Sequence, residues 1–244
     1  MPAGPDLVEL HLPPFRNTAL LLDLDGTLLD IAPRPDAVVV PPGLTEVLRR
    51  VRRLLADALG VITGRPIETV VSLLGDVPYA IAGEHGGAIR QAPSAETIRP
   101  PLPSPPPEWI AEAEKLAATH PGVLFEPKAR GFSLHYRAVP ECGVTLRDAL
   151  RRMLADSTEF ELLPAHMLWE VRPRGVDKGK AVTRMMASPP FLGRLPVFIG
   201  DDVTDEDGIA VTASMGGAGL RVQDAFGDAA GVRAWLAEVA ERGD

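Results

Sequence analysis

At 244 residues, 45% apolar and 24% charged, the chain can build one large or two small globular domains with ample core. A formal net charge of −8, with no stretch rich in Lys and Arg, argues against a nucleic-acid partner, and the single cysteine excludes an internal disulfide. No apolar run nears the ~18 residues of a membrane span, and Met1 to Pro14 lacks a basic region before an apolar core, so the expectation is a cytoplasmic chain with no membrane partner.

The first element is the apolar run Ala19-Leu20-Leu21-Leu22, which reads as a buried parallel strand. Asp23-Leu24-Asp25-Gly26-Thr27 follows where the strand leaves the sheet. Side chains at i and i+2 share a face of extended chain, so Asp23 and Asp25 point into one crevice at the strand's carboxyl end, where open α/β sheets bind ligands. Two carboxylates held together call for a divalent cation or for a carboxyl that stays protonated. A solvated Asp turn capping the strand is the plain alternative.

Pro33, Pro35, Pro41 and Pro42 then mark a loop, and Leu44, Val47, Leu48, Val51, Leu54 and Leu55 form a helical stripe. A strand ending in Val61-Ile62-Thr63 and a helix opened by Pro66 come next. The short strand Tyr79 to Ala82 leads into Gly83-Glu84-His85-Gly86-Gly87. This βαβαβ run starts a doubly wound, mostly parallel sheet.

Pro100-Pro101-Leu102-Pro103-Ser104-Pro105-Pro106-Pro107 breaks the pattern with a stiff, polyproline-like stretch. Beyond it lie a helix (Trp109 to Ala118), strands (Val123 to Glu126, Phe132 to Arg137), a helix (Val144 to Ala155) and two strands (Phe160 to Leu163, Met167 to Val171). This αββαββ unit is a small α+β domain inserted into the α/β sheet. Cys142 within it reads as a packed thiol. The core is thus expected at 1–90 and 172–244 and the insert at 91–171. Helices around Lys180 and Glu206 flank the strand Val197 to Ile199, and a helix near Trp235 ends the chain.

Within the insert, Phe132, Leu134 and Tyr136 share one strand face, while Ser133, His135 and Arg137 share the other. Glu170 lies with Leu168 and Arg172, opposite Trp169. A polar face carrying His, Arg and Glu is either solvent-facing or, over a catalytic crevice, the roof of a sugar site. His11, His120 and His166 belong to no cluster and are expected at the surface.

Asp-x-Asp-Gly-Thr after an apolar strand resembles the first motif of the haloacid dehalogenase-like phosphatases. Thr63-Gly64-Arg65 resembles their second motif, Lys178 in Val176-Asp177-Lys178-Gly179-Lys180 the third, and Gly200-Asp201-Asp202-Val203-Thr204-Asp205-Glu206-Asp207 the fourth. Glu126-Pro127-Lys128, His135-Tyr136-Arg137, Glu170-Val171-Arg172-Pro173 and Gly83-Glu84-His85-Gly86 narrow the resemblance to the trehalose-6-phosphate phosphatases, from about Ala19 to Ala210.

The resemblance implies a magnesium-dependent hydrolase of trehalose 6-phosphate, with Asp23 as nucleophile and Asp25 as acid and base. Thr63 and Lys178 would hold the phosphoryl oxygens. Asp23, the Asp25 carbonyl and Asp201 would hold Mg2+, with Asp202 and Asp205 orienting metal waters and Lys178. Glu126, Lys128 and Glu170 would take trehalose hydroxyls, and His135 and Arg137 would bind the substrate with them. Arg65 is a phosphate-side residue or a helix-start ion-pair partner, and His85 a substrate contact or a local backbone partner. A phosphatase or phosphomutase for another sugar phosphate, such as the sucrose or mannosyl phosphate class, shares this core. A non-catalytic sensor would be expected to lack Asp23 or Lys178, and both are present.

Overall fold

The computed structural model describes residues 14–242; the segment 1–13, with His11, lies outside the described residues. In chain order the elements are β1 (Thr18–Leu22), α1 (Leu44–Leu54), β2 (Leu59–Ile62), α2 (Ile67–Leu74), β3 (Ala80–Gly83) and β4 (Ala88–Arg90). Then come α3 (Pro107–Thr119), β5 (Leu124–Lys128), β6 (Gly131–His135), α4 (Gly143–Met153), β7 (Phe160–Ala165) and β8 (Leu168–Pro173). The chain closes with α5 (Lys178–Met186), β9 (Leu195–Gly200), α6 (Glu206–Ser214), β10 (Ala218–Arg221), α7 (Val222–Ala225) and α8 (Ala229–Glu241).

Among the described residues two compact units result, one running up to Ile98 and resuming at Asp177, the other Arg99–Val176. The sequence reading puts the boundaries at 90/91 and 171/172. The first moves because Ile98 bridges back to Ile89 beside β4, tying 91–98 to the first unit. The second moves because β8 continues through Pro173, which pairs with Phe160, and Arg174 N donates to Glu159 O.

The first unit is a six-stranded sheet in the order β10-β9-β1-β2-β3-β4, parallel except for the antiparallel β3–β4 pair. Every residue of β1 is fully buried, as a strand covered on both faces requires. Helix α1 turns Leu44, Leu48 and Val51 inward and packs on α8, which contributes Val232, Leu236 and Val239. Ala181, Val182 and Met185 of α5 join the same core. Because β9 and β2 flank β1, the carboxyl ends of three neighbouring parallel strands open on one edge of the sheet. The strand order reverses at β1, which is where such sheets place a site.

The second unit is an antiparallel sheet in the order β5-β6-β8-β7. Phe132, Leu134, Val171 and Leu162 of one face pack against α3 and α4 through Ala113, Leu146 and Leu150. Trp109 meets Phe160 edge-on at 5.4 Å between ring centroids, and Trp169 Nε1 donates to Gly143 O at 2.8 Å. Cys142 is a half-buried free thiol packed against this cluster. Strand β6 ends at His135, and Arg137 lies in the turn beyond it. His166 is exposed and His120 half-buried.

No helix among the described residues is long and apolar enough to cross a membrane.

Candidate active site

In the first unit, the sequence-predicted residues converge at the carboxyl ends of β1, β2 and β9. Asp23 is the first residue after β1 and is almost fully buried. Its backbone N–H donates to Ile199 O of β9 at 2.9 Å, so the sheet itself fixes the carboxylate's starting point. Gly26 turns the chain at φ +79°, and a Cβ there would overlap the Asp201 carboxylate. Only glycine accepts both conditions.

Lys178 opens α5, whose N-cap Asp177 accepts from Lys180 N at 2.7 Å. The lysine is buried and its Nζ donates to Asp23 Oδ1 at 2.7 Å and to Asp205 Oδ1 at 2.6 Å. It is a buried cation between two carboxylates rather than a helix-capping surface residue. Burial by itself would lower the Lys178 pKa, but the charges of Asp205 and Asp23 outweigh it and raise the pKa.

Asp205 is fully buried and committed on both oxygens. Oδ1 takes Lys178, while Oδ2 accepts the backbone N–H of Asp201 at 3.1 Å and of Asp202 at 3.0 Å. Asp202 Oδ1 accepts from Val203 N at 2.7 Å, so this pair of acids builds a capping box that shapes the loop after β9. Oxygens of Asp23, Asp201 and Asp205 lie within 4.8 Å of one another. With Asp205 engaged, Asp23 and Asp201 are the carboxylates offered to a cation. Burial pushes Asp23 well above the usual carboxylate range, and Asp205 and Asp201 add to the shift against the opposing pull of Lys178. Burial and then Asp205 push Asp201 up to about 7.

Asp25 faces a different partner. Arg65 grips it through Nε–Oδ2 at 2.6 Å and Nη2–Oδ1 at 2.8 Å, a bidentate fork that fixes the plane of the carboxylate. Arg65 is thus ion-paired to Asp25, an arrangement that agrees with either sequence reading of it. Thr63 is buried behind β2, and its Oγ1 accepts from Arg65 N at 3.2 Å, so its own hydrogen remains to donate. His85 and Glu84 both have positive φ, +55° and +53°. Their backbone N–H groups donate to Thr63 O and Arg65 O at 2.9 and 3.1 Å, so this turn braces the Thr63 loop.

In the second unit the predicted side chains gather on the sheet face away from α3 and α4. Glu126 Oε2 meets His135 Nε2 at 2.7 Å, and Lys128 Nζ donates to Glu170 Oε2 at 3.0 Å. Burial would raise the Glu126 pKa, but the His135 hydrogen bond and the Lys128 charge outweigh it and the net shift is downward. Arg172 and Glu161 form a further pair at 2.9 Å on that face. Arg137 lies in the turn beyond β6. Its Nη2 makes a long 3.5 Å contact to His166 O at the end of the β7–β8 hairpin.

Sequence reasoning missed Gln223 in α7, whose Nε2 donates to Asp201 O at 2.8 Å. The signal is faint, because Ala-Gly-Leu-Arg of β10 carries no strand pattern that would place α7 beside the site.

The trehalose-phosphatase family profile matches residues 21–226. The chain is 34% identical over 220 residues to a probable trehalose-phosphate phosphatase of Sinorhizobium fredii, covering 90% of this chain and 83% of that protein. It is 35% identical over 205 residues to a trehalose-6-phosphate phosphatase of Escherichia coli, covering 84% and 77%. Among solved structures, the C-terminal domain of the Candida albicans trehalose-6-phosphate phosphatase matches with a TM-score of 0.79 at 20% identity, over 93% of this chain and 92% of that one, a likeness of fold alone. With both the profile and two relatives above 30% identity spanning most of its length, the chain belongs to the trehalose-phosphatase family.

Proposed function

We propose that the chain is a phosphoric monoester hydrolase that cleaves trehalose 6-phosphate to trehalose and phosphate, with Asp23 as a covalent nucleophile and a magnesium ion as cofactor. The observation that carries this reading is the buried Lys178 bonded at once to Asp23 and Asp205, beside Asp201.

The donor set fits a hard divalent cation. Asp23 and Asp201 are crowded, shielded carboxyls that hold protons above their ordinary range, and a divalent ion satisfies the same crowding without the proton. Asp23, Asp201 and the Asp25 backbone carbonyl would hold it. When bound, the ion offsets the repulsion between an anionic nucleophile and an anionic phosphate ester.

The chain's own residues supply the rest. An Asp23 carboxylate oxygen forms a bond to phosphorus as the bond from phosphorus to the sugar oxygen breaks, giving an acyl phosphate. Lys178 Nζ holds Asp23 in position and places positive charge where the phosphoryl oxygens gather negative charge. The Thr63 hydroxyl donates to another of those oxygens. Asp25, held by Arg65 as a carboxylate, acts as the acid once it leaves that fork and takes up a proton, which it gives to the leaving sugar oxygen; it then takes one back from the water that attacks the acyl phosphate. Asp202 and Asp205 keep the loop of Asp201 in shape. In the second unit, Glu126, Lys128 and Glu170 take hydroxyls of the disaccharide, with His135 supporting Glu126.

Phosphate release from a panel of trehalose 6-phosphate, sucrose 6-phosphate, glucose 6-phosphate and a mannosyl phosphate, with Mg2+ and with chelator, tests the proposal. Trehalose 6-phosphate should be hydrolysed fastest, and only with Mg2+. Equal rates across the panel would overturn the substrate, and full activity in chelator would overturn the metal.

A further inference from the structure

Ser133 occupies the centre of the polar face of the second sheet. The register sets it directly opposite Glu126 on β5 and directly opposite Glu170 on β8, so the three side chains form one row across three strands. Alternation puts all three on the face opposite Phe132 and Leu134, whose side chains pack with α3 and α4. The outer members of the row hold partners, Glu126 with His135 and Glu170 with Lys128. Ser133 is fully buried, and its Oγ has no hydrogen-bond partner among the described residues. A buried hydroxyl left unpaired is a standing cost that an apolar side chain of similar size would avoid.

We propose that Ser133 is a further specificity-determining residue, a hydroxyl at the floor of the sugar site that is satisfied when a ligand hydroxyl lies between Glu126 and Glu170. A sugar hydroxyl is at once donor and acceptor. Its oxygen accepts the Ser133 hydrogen while its own hydrogen goes to one of the two carboxylates. Each link in such a chain polarises the next. The ligand class is therefore a polyol, and a ligand lacking that hydroxyl leaves Ser133 unpaired, the circumstance in which buried sites discriminate most strongly. This inference rests on the reading of the polar face as the sugar site.

The test is Ser133→Ala, which removes one oxygen, compared with Glu170→Ala on trehalose 6-phosphate and on p-nitrophenyl phosphate, a sugarless ester. Ser133→Ala should lower kcat/KM for trehalose 6-phosphate about tenfold, mostly through KM, and weaken trehalose binding by calorimetry to a similar degree. The sugarless ester should react at a rate changed by about twofold or less, and the melting temperature should stay or rise, because the orphan is gone. If Glu170→Ala loses activity selectively on trehalose 6-phosphate while Ser133→Ala matches wild type on both substrates, the Ser133 role is overturned and the sugar site stands. If Ser133→Ala melts earlier and loses equally on both esters, its role is structural and the inference fails. If wild type does not prefer trehalose 6-phosphate, or Glu170→Ala loses equally on both, the reading of the face fails and the inference falls with it.

Discussion

At the scale of single residues, the site is a contest over one buried carboxylate. Asp23 is desolvated, faces Asp205 and Asp201, and has Lys178 as its counterweight. Burial thus raises its pKa while the Lys178 charge opposes the rise. Asp23→Asn puts a neutral amide of the same shape there. The variant should release no phosphate from trehalose 6-phosphate, yet unfold at a temperature no lower than metal-free wild type. Measurable turnover by Asp23→Asn would refute covalent catalysis. The i, i+2 carboxylates, Thr63 at a strand end and Asp201 after β9 were legible because strand geometry converts short spacing into shared direction. Ser133 was legible as a member of a polar face but not as an orphan. Whether a hydroxyl finds a partner depends on where Glu126 and Glu170 spend their oxygens, and those bonds join residues on three strands.

At the scale of elements, α5 delivers the cation. Its N-cap Asp177 fixes where the helix begins, and Lys178 at the first position reaches both Asp23 and Asp205. Lys178→Ala strands two buried carboxylates, and breaking a buried pair from one side costs about 3–5 kcal/mol. The folded-state pKa of this lysine is raised, so its contribution is fully present below the unfolded value of 10.5 and fades only as pH climbs through the folded value. Urea unfolding of metal-free protein at pH 7 should therefore show nearly the whole loss, and a change below ~1 kcal/mol would mean the carboxylates find other partners. Buried parallel strands and amphipathic helices were readable from apolar runs and 3.6-residue stripes. The edge strands β4 and β10 were not. They are only three and four residues long, and their sequences, Ala-Ile-Arg and Ala-Gly-Leu-Arg, lack both a long apolar run and a clear alternation. Strand β6 also stops short of Arg137, because the chain turns there, and so the alternation that linked Arg137 to His135 does not apply.

At the scale of the whole molecule, two units differ in what they gather, a parallel sheet with acids around one lysine and an antiparallel sheet with paired charges and a hydroxyl. The proline run marked the coming insert, while its true limits depended on Ile98 returning to Ile89 and on β8 running on to Pro173, pairings that no local pattern encodes. The gathered acids also make stability depend on pH and metal together. Metal-free, Asp201 takes up its proton at about 7 against an unfolded value near 3.8. A raised carboxyl pKa means that the folded state binds the extra proton, so the associated stability is greatest at low pH and declines as pH rises through about 7. Asp23 shifts the same way. If the proposed magnesium ion takes the proton's place, the stabilisation it gives should grow from about pH 5 to pH 8, reaching ~2.7 kcal/mol when its concentration is a hundred times Kd. Asp201→Asn has no charge to bring, and should show both a shallower metal-free decline and little gain from Mg2+. Thermal unfolding of the two proteins across that range, in chelator and in saturating Mg2+, measures all four curves. A wild-type gain that is flat with pH, or an Asp201→Asn gain equal to it, would mean that the cation is bound elsewhere than at Asp201.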